Sequence, residues 1–162
     1  HELRQPLSTI ESIAYYLALI LPEDEKTREQ LAQIQQLVEQ SNWMLSSAQL
    51  LTDPIHLERQ PVVLREIAEP LGIEAAGDAT IDGDPTLLRA AMENLAMLYR
   101  QFLSPGYFRI ACGCIEMEAR GAAFPGATLC LEAVRRVIEA HGGTFDLTHD
   151  PATGIKLRVM LT

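Results

Sequence analysis

The first two residues of the chain, His1 and Glu2, place an imidazole beside a carboxylate, and this pair could carry out nucleophilic chemistry. A neutral imidazole is a competent nucleophile near pH 7. A hydrogen bond from one ring nitrogen to the carboxylate fixes the tautomer in which the other nitrogen attacks. Adjacent helical residues do not share a face, so the pair needs a rotated rotamer or a frayed first turn. A solvent-exposed His–Glu pair without catalytic function is the alternative that these two residues leave open.

The sequence around this pair, His1–Leu7 (HELRQPL), resembles the phosphoacceptor box of bacterial sensor histidine kinases. The resemblance implies that His1 is a phosphoacceptor, whose phosphorylated imidazole would donate phosphate to an aspartate. It also implies that Glu2 is the general base that assists proton transfer. Arg4 would then contact phosphoryl oxygens, and Gln5, where the family commonly has Thr or Asn, would orient a water molecule.

A second segment, Asp84–Leu95, resembles the N-box helix of the ATP-binding domain of the same family. The family pattern places a magnesium-binding Asn where Leu98 stands and an Ala where Tyr99 stands, and only Asn94 remains one turn earlier. An aliphatic side chain has no oxygen to offer a hard cation. Asn94 is therefore either a residual cofactor-binding residue or a polar position in an amphipathic core helix.

A third segment, Gly126–Gly143, resembles the second glycine box of that domain and the helix after it. Thr128 and Cys130 stand where the family has glycines that let the backbone close around phosphates. The Asp-x-Gly-x-Gly adenine loop has no counterpart, and the stretch from Ile110 to Gly126 is too short for that loop and an ATP lid. We therefore expect no bound metal, and weak or absent binding of ATP with magnesium. Phosphoryl transfer from ATP needs both the cation and the protein groups that hold the phosphates.

The beginning of the chain is predicted to form a helical hairpin. Apolar residues recur at alternating spacings of four and three, a heptad-like stripe, and a second helix follows Pro22 and runs to about Thr52. One hairpin cannot bury a stripe of this length, so two copies are expected to pair into a four-helix bundle. We place this domain at residues 1–58. The stripe of the first helix consists of Leu3, Leu7, Ile10, Ala14, Leu17 and Leu21.

The second part, residues 59–162, is predicted to be an α+β layer with helices on one face of a mainly antiparallel sheet. The resemblance implies a reduced α/β sandwich like the histidine-kinase ATPase domain. Asp84 and Pro85 suit the N-cap and first position of a helix, and Gly142 suits a left-handed C-terminal cap. The predicted helices cover about 64–71, 85–102 and 127–141, and the predicted strands cover about 60–64, 79–82, 107–114, 114–120, 144–149 and 155–161.

Composition excludes several classes of protein. The hydrophobic content of 48% and charged content of 22% are those of a folded protein. A net charge of −9 argues against binding the phosphates of a nucleic acid. No apolar run approaches the ~20 residues that cross a bilayer.

Cys112, Cys114 and Cys130 are too few for a four-ligand zinc site, and they are expected to be reduced core thiols, the first two on one strand face. We expect a cytosolic protein or the cytosolic part of a membrane-bound sensor.

Three hypotheses about function follow from the resemblance. The first is a two-component signalling protein with a degenerate ATP site, in which His1 exchanges phosphate with the receiver domain of a response regulator or is phosphorylated in trans. The second is a divergent autokinase that still uses ATP weakly. The third is a non-catalytic pseudokinase dimer that docks a regulator. A homodimer is expected in each case.

Overall fold

The computed structural model describes residues 3–21, 24–101, 104–121, 126–150 and 154–161. The side chains of residues 104, 105 and 149 are outside this description. The chain divides into two compact units, residues 1–46 and residues 47–162. The division falls inside the second helix, and the domain boundary that the sequence places after residue 58 stays a prediction. No helix of the described residues is long and apolar enough to cross a lipid bilayer.

Two helices, α1 (Arg4–Ile20) and α2 (Glu25–Thr52), form the predicted hairpin. Pro6 lies in the first turn of α1, where a backbone N–H has no acceptor within the helix, so the proline breaks no helical hydrogen bond. Asp24 precedes α2, and its carboxylate accepts hydrogen bonds from the hydroxyl and the backbone N–H of Thr27. The hydroxyl bond, followed by the backbone bond, lowers the pKa of Asp24 below its ordinary value. This cap fixes the start of α2.

The second unit is an α+β layer, as the sequence predicts. Its larger sheet has the order β2-β4-β5-β7-β6, in which β2 runs parallel to β4 and the other neighbours are antiparallel, and β1 and β3 form a separate antiparallel pair. The helices are α3 (Leu64–Ala68), extended by a 3₁₀ turn (Glu69–Leu71), α4 (Pro85–Arg100) and α5 (Ala127–Ala140). The strands are β1 (Gln60–Val63), β2 (Glu74–Ala76), β3 (Thr80–Gly83), β4 (Ser104–Ala111), β5 (Cys114–Arg120), β6 (Thr144–Asp150) and β7 (Gly154–Met160).

The two faces of the larger sheet differ because side chains alternate along each strand. One face carries buried residues such as Ile115, Met117 and Leu157, together with the apolar sides of α4 and α5. The other face carries a row of alternating charges that crosses all five strands in register. The row is Glu74, Arg109, Glu116, Arg158 and Asp146.

The shortest contact of this row joins Arg109 and Glu116. Arg109 donates two hydrogen bonds to Glu116 Oε2, at 2.7 and 3.0 Å. Arg158 lies farther from the same carboxylate, with 3.9 Å between its Nε and Glu116 Oε1. The hydrogen bond with Arg109, and the positive charges of both arginines, lower the pKa of Glu116. The row therefore favours this strand register, since a shift by one residue would place charges on the apolar face.

The turn between β4 and β5 corrects one expectation about the cysteines. Cys112 and Gly113 form a two-residue hairpin turn with φ values of +50° and +76°, so Cys112 is exposed and does not share a strand face with Cys114. The prediction of three core thiols is wrong for Cys112, because β4 ends at Ala111, three residues before the predicted end of the strand, and Cys112 lies in the turn. Cys130 is a buried core thiol, as predicted, and Cys114 is half-buried.

Candidate functional site

The predicted catalytic pair, His1 and Glu2, lies outside the described residues. The description begins with Leu3, and the other two predicted site residues, Arg4 and Gln5, are the first two residues of α1. Gln5 is exposed, and its backbone carbonyl accepts a hydrogen bond from the Thr9 hydroxyl at 3.0 Å.

The Arg4 side chain is held against α2. Its Nη2 donates a hydrogen bond of 3.0 Å to the Ser46 hydroxyl, and that hydroxyl donates at 3.0 Å to the backbone carbonyl of Asn42. A guanidinium has five N–H donors, and this bond uses one of them. The start of α1 therefore carries a positive charge whose position depends on a residue 42 positions later.

A shallow open groove of about 490 Å³ lies beside the start of α1. All the residues that line it have polar side chains and come from α1, at spacings that put them on one side of the helix. The Ser12 hydroxyl donates to the Ser8 carbonyl at 2.9 Å, one turn earlier. The groove offers a guanidinium and an amide, which are groups that bind anionic oxygens. It also contains three hydroxyls, two of which donate to backbone carbonyls of α1. Its lining residues are Arg4, Gln5, Ser8, Thr9 and Ser12.

The start of α4 is fixed by Asp84, as the sequence predicts. Asp84 Oδ1 accepts from the backbone N–H groups of Thr86 (2.9 Å) and Leu87 (3.1 Å), and Oδ2 accepts from that of Glu58 (3.0 Å). Burial of the carboxyl acts to raise its pKa, but the three N–H groups outweigh burial and lower the pKa below its ordinary value. The carboxylate thereby satisfies two donors of the helix that have no helical acceptor.

A buried histidine joins the end of α5 to the start of α4. His141 Nδ1 donates to the Val137 carbonyl at 2.7 Å, and Nε2 accepts from the backbone N–H of Asp84 at 3.0 Å. A carbonyl can only accept and an amide N–H can only donate, so these two partners select the neutral Nδ1–H tautomer. Gly142 follows with φ of +81°, the predicted left-handed cap. His141 therefore has a structural function here.

The residues at the predicted magnesium position are buried. Leu98 has no exposed surface, and the Asn94 side chain, whose residue is 3% exposed, accepts a hydrogen bond of 3.2 Å from the Ser47 hydroxyl at Oδ1. Cys130 also has no exposed surface, and its thiol donates to the Asn94 backbone carbonyl at 3.5 Å. Burial raises the pKa of Cys130, so the group stays a thiol. Helices α4 and α5 are thus in direct contact at these positions.

Solved structures with a similar fold were found, although no protein-family model and no curated protein matches the sequence. The histidine kinase AdeS of Acinetobacter baumannii aligns with a TM-score of 0.56 at 14% identity, over 99% of this chain and 97% of that one. The chain has the fold of a sensor histidine-kinase core. Full-length ShkA in complex with AMPPNP aligns with a TM-score of 0.57 at 22% identity, over 98% of this chain and 43% of that one. The cytoplasmic segment of histidine kinase QseC aligns with a TM-score of 0.51 at 15% identity, over 76% and 93%.

Within this histidine-kinase fold, the last turns of α2 belong to the second unit. The Ser47 hydroxyl contacts Asn94 of α4, and Arg136 of α5 donates to the backbone carbonyl of Leu50 at 2.6 Å. That carbonyl is one of the last four of α2, for which the helix itself provides no N–H donor. Sequence reasoning missed Ser46, Ser47 and Arg136, because their partners are between 42 and 86 positions away and leave no local pattern.

The described residues contain no group of three or more His, Cys, Asp and Glu side chains that could hold a metal ion. Only residues 121–126 separate the end of β5 from the start of α5, and only residues 112 and 113 separate β4 from β5. These connections are short compared with the loop and lid that the resemblance implies for an ATP site.

Proposed function

We propose that this chain is a histidine-kinase-like protein of two-component signalling, in which His1 carries phosphate and exchanges it with the aspartate of a response-regulator receiver domain. The observation that carries the proposal is the coincidence of two independent features. The HELRQPL box, residues 1–7, includes the first turn of α1, and the histidine-kinase fold extends over 99% of the chain. Either feature alone is compatible with a protein that transfers no phosphate, whereas their coincidence favours a phosphoacceptor at position 1.

The groove beside α1 supports the phosphotransfer step. Residues 1, 5, 8 and 12 are spaced by four, three and four, which is the spacing of one helix face. In the proposal the His1 imidazole attacks the phosphorus of a receiver acyl phosphate, and the aspartate leaves as a carboxylate. Glu2 accepts the proton of the ring, and Arg4 neutralises charge on the transferred oxygens. The side-chain amide of Gln5 donates hydrogen bonds to the same oxygens.

Exposed apolar residues support a homodimer. The large hydrophobic residues that are exposed in the described part of the chain all lie between residues 3 and 37, within the helical hairpin. A surface of this kind marks an interaction site, and burial of each leucine or isoleucine contributes about 1.5–3 kcal/mol. In the proposal a second copy covers it and completes a four-helix bundle. The residues are Leu3, Ile10, Ile13, Tyr15, Tyr16, Leu19, Ile20, Leu21, Ile34 and Leu37.

We further propose that ATP with magnesium binds weakly or not at all. Leu98 offers no oxygen to a cation, the Asn94 oxygen already accepts from Ser47, and the Cys130 side chain fills space between α4 and α5 that a glycine would leave open. These residues do not fit a magnesium–nucleotide complex like the AMPPNP complex of ShkA. Phosphate then reaches His1 from a phosphorylated receiver domain or from another kinase in trans.

Label transfer tests this proposal. The purified chain is incubated with receiver domains of the source organism that carry labelled phosphate on aspartate, and separately with labelled ATP and magnesium. We expect acid-labile, hydroxylamine-sensitive label on the chain from at least one receiver, and none in the His1→Gln variant. The matched control is His56→Gln, which replaces an exposed histidine far along the sequence. Both variants should dimerise like the parent chain.

Three other results of the label-transfer experiment would contradict the proposal. Label from ATP on His1 would establish the divergent autokinase and refute the degenerate ATP site. Label from no receiver, combined with binding of a receiver to the dimer, would favour the scaffold. Label that persists in His1→Gln would place the phosphoacceptor at another residue.

A further inference from the structure

Ser46 of α2 holds the Arg4 side chain through a hydroxyl whose direction is fixed. A serine hydroxyl has one proton, and here that proton is donated to the Asn42 carbonyl, one turn earlier in α2, at 3.0 Å. The lone pairs of the oxygen are left as acceptors, and one of them accepts the hydrogen bond from Arg4 Nη2 at 3.0 Å. The hydroxyl therefore acts only as an acceptor towards α1, which matches a guanidinium, a group that can only donate.

The acceptor that holds Arg4 carries no charge. A carboxylate at position 46 would bind the guanidinium more strongly, but its negative charge would offset the charge of Arg4 and repel a phosphoryl group. The serine hydroxyl engages one N–H of the side chain and leaves its full positive charge in place. A neutral anchor of this kind suits an arginine that acts on an anion.

Arg4 connects this anchor to the groove beside α1. The residue is half-buried, and it lines the groove together with Gln5 and Ser8. In the sequence it stands three positions after His1, a separation at which side chains on a helix are neighbours. A long side chain loses rotamer freedom when it is ordered, and a bond from a second helix imposes part of that order before a substrate binds. Such prior order lowers the entropy that the transition state has to lose.

We propose that Ser46 is a positioning residue for phosphoryl transfer to His1 and that it acts through Arg4, an inference that rests on the function proposed above. Ser46 itself makes and breaks no covalent bond. As the bond between phosphorus and the aspartate oxygen breaks and the bond to the His1 nitrogen forms, Arg4 neutralises charge on the three transferred oxygens. Ser46 keeps the guanidinium in place for this step, so its loss slows the transfer and leaves binding of the receiver unchanged.

Single-turnover transfer from a labelled phospho-receiver, at a concentration that saturates the chain, tests this role. Ser46→Ala should slow the transfer by about threefold to tenfold, the effect of one lost hydrogen bond, without changing the dissociation constant of the unphosphorylated receiver. Ser46→Thr keeps the hydroxyl and should transfer at the rate of the parent chain. The matched control is Ser41→Ala, since the Ser41 hydroxyl also donates to the carbonyl four residues earlier, that of Leu37, at 2.8 Å. This control should also transfer at the rate of the parent chain.

A double-mutant cycle distinguishes a positioning role from a purely structural one. Arg4→Met removes the charge, and in this background Ser46→Ala should cause no further slowing, because Ser46 acts only through Arg4.

Three results would overturn the inference while label still appears on His1 and the proposed function stands. They are equal slowing by Ser46→Ala with and without Arg4, a rate for Ser46→Ala equal to that of Ser41→Ala, and slowing that weaker binding of the receiver explains in full. If no receiver labels the parent chain, the proposed function fails, and the role of Ser46 fails with it.

Discussion

Replacement of Asp84 tests whether one carboxylate holds the start of α4 in place. Three backbone N–H groups donate to it within 3.1 Å, and the residue is 6% exposed, so water cannot easily replace the lost acceptor. Asp84→Ala removes an N-cap, which costs about 0.5–2 kcal/mol. It also removes a hydrogen bond from Glu58 to a charged acceptor, which costs a further ~1.5–3 kcal/mol. We expect Asp84→Ala to lower the free energy of unfolding of the second unit by about 2–5 kcal/mol.

Asp84→Asn separates the two contributions. Asn caps a helix about as well as Asp, so the bonds from Thr86 and Leu87 to one oxygen remain, whereas the amide NH₂ cannot accept from Glu58. The expected loss is therefore smaller, about 1.5–3 kcal/mol. The control is Asp82→Ala, two residues earlier on β3, since that side chain is exposed and its contact with Arg59 is 3.8 Å long. This variant should stay within about 0.5 kcal/mol of the parent chain.

The charge of Asp84 also predicts a pH dependence. Because the folded-state pKa is lowered below the ordinary value of 3.8, the contribution of the carboxylate is fully present above that value and is lost as the pH falls through the folded-state pKa. The stability difference between the parent chain and Asp84→Asn should thus be constant from about pH 5 upwards and shrink in acid.

Amide hydrogen exchange in α4 measures the opening free energy of this unit alone, which matters because a chain of two units need not unfold in one step. The amides of Thr86 and Leu87, which donate to Asp84, should lose protection first in Asp84→Ala. A loss below about 0.5 kcal/mol, or a difference from Asp84→Asn that persists unchanged in strong acid, would refute the reasoning.

Four further substitutions have defined outcomes. Leu17→Glu should weaken the proposed dimer strongly, and light scattering that reports a monomer for the parent chain at micromolar concentration would refute the dimer itself. Leu98→Asn should fail to restore ATP binding in calorimetry and should destabilise the second unit by about 2–4 kcal/mol, since it buries an amide in an apolar site. Ser47→Ala should cost about 1–2 kcal/mol, because it leaves the buried Asn94 oxygen without its donor. Cys112→Asn should raise the midpoint of urea unfolding, by about 0.5–1 kcal/mol in stability, because Asn tolerates a φ of +50° better than Cys.

Helices of the second unit could be predicted from sequence because their signals are local. Asp84-Pro85 marks the start of α4, an apolar stripe runs along α4 and α5, and Gly142 marks the end of α5, and all three features are confirmed. The sequence does not predict strand β2, because its three residues, Glu74–Ala76, have neither alternation nor β-branched side chains. It forms only because β4 offers a parallel partner, which no local pattern reports.

In the candidate site, too, the features that depend on local spacing could be predicted from sequence, and the contacts with distant residues could not. The groove beside α1 consists of residues within nine positions of one another, so helical spacing alone brings Arg4, Gln5 and Ser8 to one side. The bond that fixes Arg4 comes from Ser46, and it depends on how the hairpin closes, which periodicity does not specify. The tight turn between β4 and β5 is predicted, but its position at Cys112 is not, because Cys-Gly carries only half of the Asn-Gly signal of a tight hairpin turn.

The histidine-kinase fold would survive the proposed loss of nucleotide binding because the substituted residues now contribute to the core. A polar ligand at position 98 would need the cation to satisfy it, whereas Leu98 is fully buried and contributes about 1.5–3 kcal/mol. Cys130 likewise adds contacts between α4 and α5 where a glycine would add none and would lower helix stability. Each change makes the return to a nucleotide site more costly, because a restored Asn or Gly would first leave a cavity or an unsatisfied polar group. Under this proposal, simultaneous restoration at 98 and 130 should destabilise the second unit more than either change alone, and it should still leave ATP unbound.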